Sequence, residues 1–300
     1  MFKEKVRIGT MVSCQDKAEY IRQILPHGFE SFSLSWWQSL GKTDLKAQAK
    51  EVTSALDGTG AVVSSLSVFG NPLGVKPIDA ETRDAWKKAI DAAKLFGCDI
   101  VTGFAGRVVD KPICTSVDRY AKIFGPLAKR AADQGVRIAF ENCQMGGNWN
   151  TGDWNMAQSP DAWELMFEAI DSKNVGLQWE PCHQMVALID PIAQLRKWVK
   201  KVFILHGKDA TINWDTIREH GIHGPIQWCF HRSPGFGDSN WTDIITILRQ
   251  SGFEGSIDIE GWHDPVYREE LEMMGQVQGM TYLKACRGGS FVPNPALANA

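Results

Sequence analysis

The chain has 300 residues, 44% of them hydrophobic, enough to bury a large core in one barrel of ordinary size or in two small domains. A formal charge of -3 leaves no basic footprint for nucleic acid or anionic lipid. No run approaches a membrane span, and MFKEKVRIGT enters a strand-like segment without the apolar stretch of a secretory leader, so a cytoplasmic protein is expected.

Short apolar runs alternate with helical periodicity along nearly the whole chain. Strand-like runs cover residues 6–13, 31–37, 62–68, 99–105, 136–141, 175–180, 202–206 and 256–260. Helical spacing of three and four dominates between them, most clearly over 80–96 and 117–134. Thr43-Asp44 and Ser159-Pro160-Asp161 supply capping chemistry, and Gly97 and Gly135 stand where helix-ending glycines are expected. The turn after the first strand, CQDKAEY, has no glycine, which argues against a phosphate-binding doubly wound sheet. Eight strands alternating with helices predict an α/β fold, a closed (β/α)8 TIM barrel in a single domain over 1–286. Residues 207–255 depart most from the rhythm, with a short helical piece near 212–220, a strand-like run at 226–231 and the loop RSPGFGDSNW. A helical segment at 267–285 leads into the tail 287–300, which lacks an apolar period; together they are the candidate contact for a homo-oligomer.

Four of the later strands end in residues of one chemical kind. They are Glu141 in VRIAFENC, Glu180 in VGLQWEPCH, His206 in VFILHGKD and Glu260 in SIDIEGWHD. A parallel barrel presents its active-site side chains at strand C-termini, so these four are expected in one cavity. Three carboxylates and an imidazole brought together need a positive partner, and a divalent metal is the simplest. Carboxylate-rich ligation with one imidazole suits Mn2+ first, and also Mg2+, Co2+ or Zn2+.

Other residues are placed around that centre. His183, three residues after Glu180, is expected to bond substrate oxygens, and Lys208 to neutralise surplus negative charge or orient a ligand carboxylate. Arg232 is expected to hold a fixed charge over a substrate oxygen. Of the tryptophans near strand ends, Trp37 and Trp179 are assigned to the cavity, where indole faces stack on sugar C–H surfaces. Trp86 and Trp163 sit at helical spacing and are read as core. The seven cysteines form an odd set without paired short spacings, as in a reduced chain; Cys143 and Cys182 are read as small packing residues beside the ligands.

A Glu closing one strand, Glu-x-x-His the next and His-x-Lys-Asp the next, followed by PGFGD and IEGWHD, resembles the sugar phosphate isomerase/epimerase group. These are xylose isomerase-like TIM barrels that include ketose 3-epimerases, hydroxypyruvate isomerases and inosose dehydratases. The resemblance spans essentially the whole chain and is specific in its second half. It implies that Glu141, Glu180, His206 and Glu260 ligate the metal, that Glu141 and Glu260 double as the acid/base pair, and that His183 and Arg232 contact substrate. The family usually has Asp where this chain has Glu180, and the extra methylene pushes that carboxylate one bond further into the cavity.

The chemistry expected is proton transfer beside a ketone of a small sugar or keto-sugar, through a metal-stabilised enediolate. Carboxylates serving opposite faces of the carbon give an epimerase; service of one face gives an isomerase. The alternative is β-elimination, a lyase, deglycosidase or dehydratase acting on a 3-keto glycoside or an inosose, with Trp149 and Trp154 of GGNWNTGDWN beside the aglycone.

Overall fold

A computed structural model describes residues 4–261 and 263–294. Eight parallel strands close into one barrel: β1 (Val6–Val12), β2 (Ser31–Trp37), β3 (Val62–Phe69), β4 (Ile100–Gly103), β5 (Arg137–Glu141), β6 (Val175–Trp179), β7 (Val202–Gly207) and β10 (Gly255–Ile259). The last barrel strand pairs with the first, from Val6 opposite Gly255 to Thr10 opposite Ile259, which leaves no open edge. The predicted barrel is therefore the observed one. An antiparallel ribbon, β8 (Asp209–Ile212) with β9 (Cys229–Arg232), rises from the C-terminal end of β7. The sequence reading contains only its second strand, because Asp209–Ile212 is too short and polar at its start to stand out as an apolar run.

Ten helices are described: α1 (Lys17–Ile24), α2 (Leu45–Leu56), α3 (Pro77–Ala92), α4 (Val117–Asp133), α5 (Pro160–Ala169), α6 (Pro181–Val186), α7 (Pro191–Trp198), α8 (Trp214–His220), α9 (Trp241–Gln250) and α10 (Glu272–Cys286). Helix α3 starts three residues before the expected 80–96 segment. Pro77 is preset for a first helical position, and the Asp79 carboxylate accepts from the Lys76 N–H at 2.8 Å. The helix tightens into a 3-10 turn over Ala93–Phe96 and stops at Gly97, whose φ of 72° suits glycine. Asp44 caps α2 through the N–H groups of Lys46 and Ala47, as expected, whereas Ser159 makes no side-chain cap and Pro160 alone starts α5. Strand β4 is shorter than 99–105. Gly103 has φ 147°, and a Cβ there would lie 1.9 Å from the Val68 carbonyl oxygen, so the strand ends where the backbones approach too closely for a side chain.

The core lies between strands and helices. Trp86, Tyr120, Phe124 and Phe140 interlock there, with Phe124 and Phe140 edge to face at 4.8 Å. Truncating such a ring to alanine costs about 3–5 kcal/mol. At the opposite end from the ligands, the Arg287 guanidinium donates to Glu30 at 2.6 and 2.9 Å and to the Val6 carbonyl at 2.7 Å. The predicted C-terminal helix occupies Glu272–Cys286 rather than 267–285, because Asp264 first accepts the N–H groups of Val266 and Tyr267 and holds a turn there.

Candidate metal centre and cavity

Each member of the carboxylate–imidazole set is delivered by a strand end. Glu141 closes β5. Glu180 follows β6, in extended conformation because Pro181 opens α6 directly after it. His206 is the penultimate residue of β7, and Glu260 follows β10. One ligand atom from each of these four lies within 4.8 Å of the other three, and all four residues are buried.

Two asparagines fix this geometry, and the sequence reading missed both. Asn142 donates to the Glu180 carbonyl and accepts from its N–H, each at 2.9 Å, extending the β5–β6 pairing by one side chain. Asn155 donates to the carbonyls of Glu141 and Cys143 at 2.8 and 2.9 Å. Gln178, one residue pair below Glu180, places its amide 2.8 Å from His206 Nε2, while Gln178 Oε1 is buried without a partner. Turning the amide over lets His206 Nε2–H donate to Oε1 and leaves Nδ1 facing the carboxylates, where loss of its proton would free a lone pair.

The electrostatics call for a cation. Both oxygens of Glu180, Oε2 of Glu260 and Nδ1 of His206 are buried without a hydrogen-bond partner. Burial pushes the Glu141 carboxyl up to about 8, His206 pulling it down and Glu180 and Glu260 adding to the rise. Glu260 lies well below the ordinary carboxylate range: burial opposes this, but Lys208, 3.0 Å away, outweighs it with help from His206 and His263. Burial works against charge on His206 too, yet the carboxylates beside it, Glu141 foremost, lift it to about 9. Three carboxylates thus face one lysine, protons on Glu141 and His206 meet the surplus, and a divalent ion held by the same residues would take their place. The donor set and its unpartnered lone pairs fit such an ion.

A cavity of about 600 Å³ opens over this cluster. Glu141, Glu260, His183, Lys208 and Trp37 line it, whereas Glu180 and His206 sit behind. His183 Nε2 is 2.6 Å from Glu180 Oε1 without hydrogen-bond alignment.

Two predicted cavity residues are elsewhere. Trp179 is fully buried in the core, and its indole N–H donates to Gln194 on α7 at 2.7 Å. Strand alternation explains it: Gln178 points inward to His206, so its neighbour points out to the helices. Arg232 does not line the cavity; its Nε bonds Asp264 at 3.1 Å, and His231, adjacent on β9, takes the inward place. Burial, then Lys208 and His183, push the His231 imidazole down to about 3, so it stands there neutral. His263 also lines the cavity, 3.0 Å from Glu260. Trp86 and Trp163 are core, and neither Trp149 nor Trp154 lines the cavity; Trp154 borders a neighbouring depression. Trp262 lies outside the described residues. Asp209 organises the PGFGD loop, accepting from the N–H groups of Ser239 and Gly235 and from the Trp241 indole.

Fold and cluster together define a (β/α)8 barrel with a cation-ready carboxylate–imidazole centre at its C-terminal mouth. The chain belongs to the xylose isomerase-like TIM barrel family, whose model matches residues 21–277. It is 25% identical over 170 residues to inosose dehydratase of Clostridium tetani (strain Massachusetts / E88), covering 54% of this chain and 53% of that one. The match thus spans about half the length of that relative. A xylose isomerase domain protein from Planctomyces limnophilus has the same fold, with TM-score 0.73 and 17% identity over 99% of this chain and 100% of that chain. So does 3-keto-D-glucoside 4-epimerase from E. coli, with TM-score 0.69 and 16% identity over 94% and 100%. No helix among the described residues is long and apolar enough to cross a membrane.

Proposed function

We propose that the chain is a divalent-metal-dependent isomerase or epimerase that moves a proton at the carbon beside the ketone of a sugar or keto-sugar. The observation that carries this reading is the division of the ligand set: Glu141 and Glu260 face the cavity, while Glu180 and His206 lie behind it. All four residues would hold the ion, Mn2+ first, with Mg2+, Co2+ and Zn2+ suited to the same donors. When bound, the ion supplies Lewis-acid polarisation of a carbonyl, without which a carboxylate is too weak a base for such a proton. Glu141 from β5 and Glu260 from β10 would exchange the proton with the two faces of the substrate carbon. Lys208 holds Glu260 in position, and His183 would orient a substrate hydroxyl. The proposed setting is the cytoplasm, in keeping with seven cysteines that are all free thiols.

The second reading is β-elimination after the same proton removal, and the similarity to inosose dehydratase supports it. Solvent-deuterium exchange by NMR tests both. The Mn2+-loaded protein is offered ketoses, keto-inositols and 3-keto glycosides in heavy water. Deuterium beside the carbonyl of an intact skeleton is the expected result; loss of water or an aglycone moves the assignment to a lyase. No exchange and no elimination on any of them overturns the proposal.

A further inference from the structure

We infer that the cavity takes a keto-sugar bearing an apolar, aryl-type substituent, its ring at the carboxylates and the substituent along an aromatic wall leading to the mouth. The inference rests on the sugar reading above and narrows its substrate class. The wall is continuous from Phe69 to Trp37, and Trp154 packs against Trp37 without lining the cavity itself. Phe69 lies 6.2 Å from the His206 ring, Phe104 5.2 Å from Phe69, Trp37 6.4 Å from Phe104 and Trp154 5.3 Å from Trp37, all between ring centroids. Met11, Phe69, Phe104 and Cys143, with Met145 packed on them, form an apolar cluster separate from the main core, and every one of the five lines the cavity.

Size and hydration point the same way. A volume of about 600 Å³ is of the order that holds drug-sized ligands. A free hexose, with about a dozen non-hydrogen atoms, would leave much of it to water against apolar walls, an arrangement an apolar substituent relieves. Trp37, at 56% exposure, presents a broad uncovered indole at the mouth. The backbone is also constrained at this wall. Among the described residues five non-glycines have positive φ, and two of them are Gln38 (61°), directly after Trp37, and Met145 (48°). Such conformations persist where the surroundings over-determine them, and here they present Trp37 and Met145 to one cavity.

Titration of the protein with phenyl and methyl β-D-glucosides, which lack a ketone and cannot react, isolates the subsite from the chemistry. The phenyl compound is expected to bind at least about tenfold more tightly. Trp37→Ala and Trp154→Ala should each reduce that advantage, and together remove it, while Trp37→Phe keeps most of it. Circular dichroism verifies that the variants are folded. Equal affinities, undetectable phenyl glucoside binding, or an advantage that survives both substitutions overturns the inference. Exchange of free ketoses with no aryl preference sinks only the subsite. Trp37-dependent aryl binding with no exchange or elimination on any keto-sugar, phenyl 3-keto-glucoside included, sinks only the reaction.

Discussion

Two buried polar regions share the interior of this barrel and obey opposite rules. On β2, β3 and β4 the hydroxyls satisfy one another: Ser33 meets Ser65 at 2.8 Å and Ser67 at 3.0 Å, and Thr102 donates to Ser67 at 2.7 Å. Asp258 on β10 is closed by Ser31 and Ser64, each at 2.6 Å, and a Cβ on Gly9 would overlap this arrangement, 2.3 Å from the carboxylate. At the ends of β6, β7 and β10, by contrast, Glu180, His206 and Glu260 keep polar atoms without hydrogen-bond partners. A buried polar atom left unmet costs about 1–3 kcal/mol, so such a group persists where a ligand offsets the cost. Buried polarity therefore does not by itself mark a site, and neither does a lone unmet atom, since Trp86 Nε1 and Tyr120 OH are unmet in the core. What marks this centre is that unmet carboxylate and imidazole atoms gather at one point.

The largest expected effect separates the regions by chemistry. Glu141→Gln and Glu260→Gln should each slow deuterium exchange by about a thousandfold or more, with unfolding midpoints close to the parent. Near-normal exchange in either variant removes that residue from proton transfer. The next effect separates them by ligand. Mn2+ at a hundred times its Kd should raise the thermal midpoint of metal-free protein by about 5 °C, read by calorimetry. Glu180→Gln and His206→Asn should abolish the increment, while Ser65→Ala retains it; loss of the increment in Ser65→Ala would erase the distinction.

A smaller effect probes the satisfied side. Ser64→Ala leaves one Asp258 oxygen unmet and should cost about 1–3 kcal/mol in denaturant titration, with the Mn2+ increment unchanged. No loss means water replaces the hydroxyl. The smallest concerns Glu30 at the far end of the barrel. Burial would raise its pKa, but the Arg287 hydrogen bonds outweigh burial and hold it below the ordinary value. A depressed carboxyl contributes stability above its unfolded pKa and loses it as pH falls through the folded one. The midpoint gap between parent and Glu30→Gln, a few degrees at neutral pH, should therefore shrink as pH falls below the ordinary glutamate value and through the depressed one. A gap that persists there shows that the contact acts through packing instead of charge.

Some misplacements were avoidable from the sequence. If Glu180 faces the barrel mouth, strand alternation sends Trp179 outward and Gln178 inward, so assigning both Glu180 and Trp179 to the cavity was inconsistent. The choice between His231 and Arg232 had no such anchor. Their ribbon lies outside the barrel, and which side of it faces the cavity depends on pairing with Asp209–Ile212. Asn142 and Asn155 carried no signal either, since each acts by bonding backbone distant in sequence.

The sequence by itself determined the barrel and the identity of the four clustered residues. Strand and helix periods are local properties, and a parallel barrel sends every strand's C-terminus to one mouth. Only the tertiary structure decided which of those residues face the cavity, which polar atoms stay unmet, and that Phe69, Phe104 and Trp37 join into one wall with Trp154 packed behind Trp37. Those four rings come from three strand ends and a loop, and contact between them exists only once the barrel has closed.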